Sequence, residues 1–202
     1  MSGKMRIIGL TGGSGTGKGT FAALLREKGA GWVDADAVYR RLCVENREML
    51  HQLDTAFGGV LDETGALDRK KLAAIVFADP DKLQKLNAIT LPYIRAASLD
   101  EMRAQGDCPF VLYDAPTLFE VGADDLCECV IGVLADPDVR IARIMARDGL
   151  NEQAARARIH AQPDADFYRA RCSYIVENNG GLELLRHQAD AIFTCLQKET
   201  QL

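Results

Sequence analysis

With 202 residues, 48% of them hydrophobic and 26% charged, the chain has the size and composition of one compact domain with room for a small inserted subdomain. Its formal net charge of -5 argues against a nucleic acid as the main partner, because binding a polyphosphate backbone needs a broad basic surface, and no stretch approaches the roughly 18 apolar residues of a membrane span. Six scattered cysteines (Cys43, Cys108, Cys127, Cys129, Cys172, Cys195) have neither zinc-ligand spacing nor nearby His51, His160 or His187, and Met1 to Arg6 lack the apolar segment of a secretory leader, so a cytoplasmic protein with reduced thiols and no structural metal is expected.

Residues 6–11 (RIIGLT) form an apolar, β-branched run, and the glycine cluster after them gives way to the helical pattern Phe21 to Leu25. A second strand is predicted at Gly31 to Asp34, one helix length later, as in a βαβ unit. From about Ala37 to Gln105 strand signals vanish: Leu50, Leu53 and Phe57 share one helical face, as do Leu72, Ile75 and Val76. Asp79 and Pro80 read as the cap and first residue of a long helix through Leu83, Leu86 and Ile89, which Pro92 is expected to bend. Strands return at Phe110 to Tyr113, Val130 to Leu134 and Tyr174 to Val176, and a helix over about 182–197 follows. Five strands alternating with helices predict an α/β, doubly wound parallel sheet whose ligands bind beyond the carboxyl ends of the strands, where Thr11, Asp34 and Asp114 fall.

Gly12, Gly13, Ser14, Gly15, Thr16, Gly17 and Lys18 satisfy the phosphate-loop pattern G-x-x-x-x-G-K, after a strand and at a helix start, where the chemistry needs it. Glycines let consecutive N–H groups converge on an anion, the helix N-terminus adds partial positive charge, and Lys18 can bridge the β- and γ-phosphates of ATP. Gly19 stands where a Ser or Thr usually offers Mg2+ a hydroxyl, and Thr20 follows; a more water-coordinated magnesium is expected, with Thr20 and Asp114 as its protein oxygens.

If Asp34, Ala35 and Asp36 continue the second strand, both carboxylates face one way, and Asp36 can deprotonate an attacking hydroxyl; the alternative is that Asp36 caps a helix beginning at Ala37. Arg140, Arg143 and Arg147 share one helix face, and a helix after Gly149 adds Arg156 and Arg158. Such a hairpin can close over ATP as a lid, or can be a solvated face paired to Asp138, Asp148 and Glu152.

Taken in order, Gly9 to Gly13, Asp34 to Asp36 with Arg40, Leu67 to Arg69 with Leu72, Val76 to Pro80, Pro116 with Leu118 to Glu120, Arg143 with Met145 to Asp148, Arg158 with Gln162, and Asn178 to Gly180 resemble the dephospho-CoA kinase family over nearly the whole chain. The resemblance implies a P-loop kinase built of a nucleotide-binding core (about 1–36, 106–138 and 168–202), a helical insertion that receives the acceptor (about 37–105) and an arginine-bearing lid (about 139–167). It further implies ATP and dephospho-CoA as substrates, with Asp36 at the ribose 3'-hydroxyl, Lys18 and Arg143 at the transferred phosphate, Asn178 near adenine, Arg147 on ATP, and Asp34, Arg40 and Phe119 on the acceptor side; a monomer is expected, with an oligomer left open. Leu91 and Thr117 depart from the family's usual His and Leu, so no catalytic histidine is nominated. A nucleoside monophosphate kinase, which shares the Gly-Lys-Gly-Thr order, and a non-catalytic ATP-binding relative are the competing expectations; a GTPase lacks its Asn-Lys-x-Asp segment here.

Overall fold

The computed structural model describes residues 5–76 and 79–198, so Phe77 and Ala78 of the Val76 to Pro80 string lie outside the described residues. The chain divides into two compact units, one comprising the described residues of Met1–Trp32 and Gln105–Leu202, the other Val33–Ala104.

The first unit is built on a five-stranded sheet, one strand of which ends in Val33 and Asp34 of the second unit. Strands β1 (Ile7–Thr11), β2 (Gly31–Asp34), β3 (Val111–Asp114), β4 (Cys129–Leu134) and β5 (Tyr174–Glu177) lie in the order β2-β3-β1-β4-β5. The pairs β1–β3, β1–β4 and β4–β5 are parallel, with Leu10 opposite Asp114 and Thr11 opposite Gly132. β1 is buried at every residue, as expected of a central strand covered on both faces. The helices of this unit are α1 (Lys18–Glu27), α6 (Pro137–Asp148), α7 (Glu152–His160), α8 (Ala165–Arg169) and α9 (Leu182–Lys198), and a short 3-10 turn spans Ala123–Leu126. Phe21 and Leu25 of α1 and Leu185, Ile192, Phe193 and Leu196 of α9 bury their apolar faces against Ile8, Leu10, Phe110, Leu112, Ile131 and Val133. α6 and α7 carry a core of their own, Ile141, Ile144 and Ala155 with Leu150 and Ile159 packed against it. The chain leaves β1 toward β3 and β2 on one side and later fills β4 and β5 on the other, which opens a crevice at the carboxyl end of β1.

The second unit is helical: α2 (Ala35–Glu45), α3 (Arg47–Phe57), α4 (Arg69–Val76) and α5 (Pro80–Arg103), with one antiparallel bridge, Leu61 to Leu67, as its β pairing among the described residues. α2, α3 and α4 pack on α5, burying Val38, Leu42, Met49, Leu50, Leu53, Leu72 and Met102. Asp79 caps α5 by accepting from the N–H groups of Asp81 and Lys82, and Pro80 opens it, both as predicted. Pro92 sits inside α5, which runs through it as one helix from Pro80 to Arg103.

One local expectation is corrected. β2 ends at Asp34 and α2 begins at Ala35, so Asp34 and Asp36 are not two residues apart on a strand. Asp34 itself is the cap: its Oδ1 accepts from the N–H groups of Asp36 (2.8 Å) and Ala37 (3.1 Å), which turns the chain into helix before Asp36 is reached.

Candidate active site

The phosphate loop occupies the crevice at the end of β1. Gly17, at φ 88°, is the N-cap of α1, and a side chain there would run into Asn178 Nδ2. Gly15, at φ 79°, has the Arg140 carbonyl oxygen 2.7 Å from where a Cβ would stand. Both positions therefore exclude other residues twice, by backbone conformation and by space. Buried Thr16 closes the turn by donating from Oγ1 to the Gly13 carbonyl (2.9 Å). Gly19 differs: it is exposed, and nothing lies within 4 Å of a Cβ built on it.

Two arginines of α6 hold the loop from outside. Arg143 Nη1 donates to the carbonyls of Gly15 (3.3 Å) and Thr16 (3.4 Å), and its Nη2 to Asn178 Oδ1 (3.5 Å). Buried Asn178 in turn donates to the Thr16 carbonyl at 2.8 Å, so the turn after β5 and the phosphate loop just ahead of α1 share one hydrogen-bonded node. Arg140 is 8% exposed; its Nε donates to the Ser14 carbonyl (2.9 Å) and its Nη2 to Gln162 Oε1 (2.9 Å), while the same Oε1 accepts the Ser14 N–H (2.9 Å). Burial pulls the Arg140 pKa below the ordinary guanidinium value.

At the other end of the loop Lys18 Nζ forms an ion pair with Asp114 Oδ1, and Asp114 Oδ2 accepts from Trp32 Nε1 at 3.3 Å. The Trp32 indole is covered by the Arg26 guanidinium, 4.7 Å from the ring centroid. Asp114, the last residue of β3, is thus a buried carboxylate with a cation on one oxygen and an indole on the other. Thr20 stands exposed in the first turn of α1. Among the described residues no three His, Cys, Asp or Glu side chains converge on a metal position. A cation at this edge would have the hard oxygens of Asp114 and Thr20 as candidate protein ligands, a donor type that suits Mg2+.

The remaining predicted residues lie elsewhere. Arg147 makes a two-point pair with its neighbour Asp148 (2.7 and 2.9 Å), which Arg158 also contacts, and Arg156 pairs with Glu152; these three arginines have the acidic partners of a solvated face. Phe119 meets Phe167 edge to face with centroids 5.9 Å apart, and Arg171 lies 4.0 Å from the Phe167 centroid. Asp34, Asp36 and Arg40 belong to the helical unit, where Arg40 Nη2 donates to Asp34 Oδ2 at 3.5 Å and Asp36 is exposed on the first turn of α2. Gln162 and Trp32 were not nominated as site residues. Gln162 had a signal in its place beside Arg158 in the family string, whereas the contact of Trp32 with Asp114 joins two strands and has no local signature.

Comparison with known proteins accords with this geometry. The family model described as dephospho-CoA kinase matches residues 6–183. A dephospho-CoA kinase of Anaeromyxobacter dehalogenans is 47% identical over 96% of this chain and 93% of its own, and one of Syntrophotalea carbinolica is 42% identical over 95% and 92%. Among solved structures, a Thermus thermophilus protein superposes with a TM-score of 0.82 at 37% identity, covering 95% of this chain and 98% of that one. A dephospho-CoA kinase from Campylobacter jejuni gives 0.70 at 26% identity, with 98% and 100% covered. On the match of residues 6–183 and these near full-length identities, the chain belongs to the dephospho-CoA kinase family.

Proposed function

We propose that this chain transfers the γ-phosphoryl group of ATP to the ribose 3'-hydroxyl of dephospho-CoA, giving CoA and ADP, as a cytoplasmic monomer whose six free thiols suit a reducing compartment. The observation that carries the reading is the phosphate loop, Gly12 to Lys18, set between a strand and a helix in a chain whose likeness to dephospho-CoA kinases runs almost end to end.

In this reading the loop from Gly12 to Thr20 receives the phosphates through its backbone N–H groups, that of Ser14 excepted because Gln162 holds it, and Lys18 exchanges its Asp114 partner for the β- and γ-phosphates. Arg143 neutralises charge on the transferring group from its seat on the loop, and Arg147 reaches ATP by releasing Asp148. Asn178, fixed to Thr16, borders the adenine. Asp36 accepts the 3'-hydroxyl proton as that oxygen attacks the γ-phosphorus and ADP departs, while Asp34, Arg40 and Phe119 hold the acceptor. Magnesium, held through Asp114, Thr20 and water, would spread the charge of the β- and γ-phosphates.

The test is ADP release from Mg-ATP with dephospho-CoA, AMP, CMP or no acceptor. Release that depends on dephospho-CoA and yields CoA is expected. Preference for AMP or CMP would move the chain to the nucleoside monophosphate kinases, the reading that Gly19 and Thr20 favour. ATP binding with no turnover on any acceptor would leave a nucleotide-binding relative without chemistry.

A further inference from the structure

The five arginines on α6 and α7 fall into two groups. Arg147, Arg156 and Arg158, all exposed, each have a carboxylate partner, whereas Arg140 and Arg143, which touch the phosphate loop, have none among the described residues. Arg140 is the extreme case, since it is the more buried of the two and its side chain bonds only to the Ser14 carbonyl and to Gln162 Oε1. A guanidinium withdrawn from water without an anion is costly, and proteins ordinarily relieve that cost with a carboxylate. Here the residue in the carboxylate's place is the isosteric but neutral Gln162.

We propose that Arg140 and Gln162 form a positioning unit for the polyphosphate of ATP: Gln162 fixes both the Ser14 peptide and the Arg140 guanidinium without quenching its charge, which is left to act on the anion in the loop. The proposal rests on the reading of the loop as the ATP site. Three contacts, Ser14 N–H to Gln162, Ser14 carbonyl to Arg140 and Arg140 to Gln162, close a ring around one residue of the loop, so the loop cannot shift there without moving the cation. Arg140 and Gln162 also line a cavity of about 710 Å3 together with Arg156, His160 and Asp164. A glutamate at position 162 could accept the same two hydrogen bonds; it adds a charge and gives up only the Nε2 donors, which serve neither of these bonds, and so separates the electrical role from the architectural one.

The experiment compares ATP binding by calorimetric titration, KM for ATP and melting temperature for the wild-type chain, Gln162→Glu, Arg140→Lys and Arg140→Met. Gln162→Glu is expected to melt at or above the wild-type temperature yet bind ATP about tenfold more weakly, the order of effect for cancelling one partly screened charge near the phosphates. Arg140→Lys, which keeps the charge, is expected to bind ATP about tenfold more tightly than Arg140→Met. If Gln162→Glu binds ATP like the wild type, or if the Lys and Met variants bind alike, the unit is architectural and the proposal fails while the ATP site stands. Should Gln162→Glu not fold, the Lys and Met pair decides the matter alone. Failure of the wild-type chain to bind ATP would overturn this proposal together with the functional reading beneath it.

Discussion

Replacing Asp36 with Asn should leave ATP affinity near normal and lower turnover by roughly 10² to 10⁴, the range for a lost general base, in a steady-state assay with dephospho-CoA. Turnover close to wild type would restrict Asp36 to the first turn of α2, where its carboxylate opposes the helix dipole's positive end. The two glycines after Thr16 should respond in opposite senses. Gly17→Ala places a side chain at positive φ against Asn178 and should lower both the melting temperature and ATP affinity. Gly19→Ala meets open space in a helical turn and should raise stability by about 0.4–1 kcal/mol, read from urea unfolding. At this scale the phosphate loop was legible because it is contiguous and its glycines have a stereochemical cause. The relation of Asp34 to Asp36 was not, because an aspartate that ends a strand and one that caps a helix look alike until the hydrogen bonds of Asp34 Oδ1 are seen.

Among the elements, the α6–α7 pair carries a pH signature. Hydrogen bonds from Arg147, then its charge and those of Arg158, pull the Asp148 carboxyl from 3.8 down to about 2. A carboxyl lowered in the folded state lends stability that is in place above its unfolded value and is lost as pH falls through the folded one. Protection factors of the α6 and α7 amides, taken against the intrinsic exchange rate at each pH, should therefore fall between about pH 4 and pH 2, and Asp148→Asn should flatten that dependence. A dependence unchanged by the substitution would remove Asp148 from the hairpin's acid response. The elements themselves were readable because each strand is a short apolar run flanked by turn residues, and predicted and observed strands differ by at most one residue at either end. Helix periodicity put Arg140, Arg143 and Arg147 on one face but could not sort them. Which arginine meets the loop and which meets Asp148 depends on how α6 abuts Gly15, a contact made across the fold.

For the molecule as a whole, Arg6 ties three distant places together. At the entry to β1 it donates to both carboxylate oxygens of Glu128 (2.8 and 2.6 Å), just before β4, and to the Leu196 carbonyl in α9 (2.5 Å). Arg6→Ala should cost roughly 1–2 kcal/mol in urea unfolding, since Glu128 is half exposed and part of the ion pair is screened; a change within a few tenths would make the link incidental. The α/β class was legible from the alternation of strands and helices, but the order β2-β3-β1-β4-β5 was not, because no residue in β1 names its neighbours.

That order also bears on how the chain is made. β1 pairs with β3 and β4, Ile7 lying opposite Val111 and Ile8 opposite Cys129, so β1 has neither of these neighbours until roughly a hundred more residues have followed it from the ribosome. At the usual elongation rates of roughly 5–20 residues per second, that is a wait of several seconds or more, during which the four helices between Ala35 and Arg103 are already synthesised. The nascent phosphate loop passes this interval at the end of an unpaired apolar strand, which makes the early chain a natural client for holding chaperones and the sheet a slow, late-forming part of the fold.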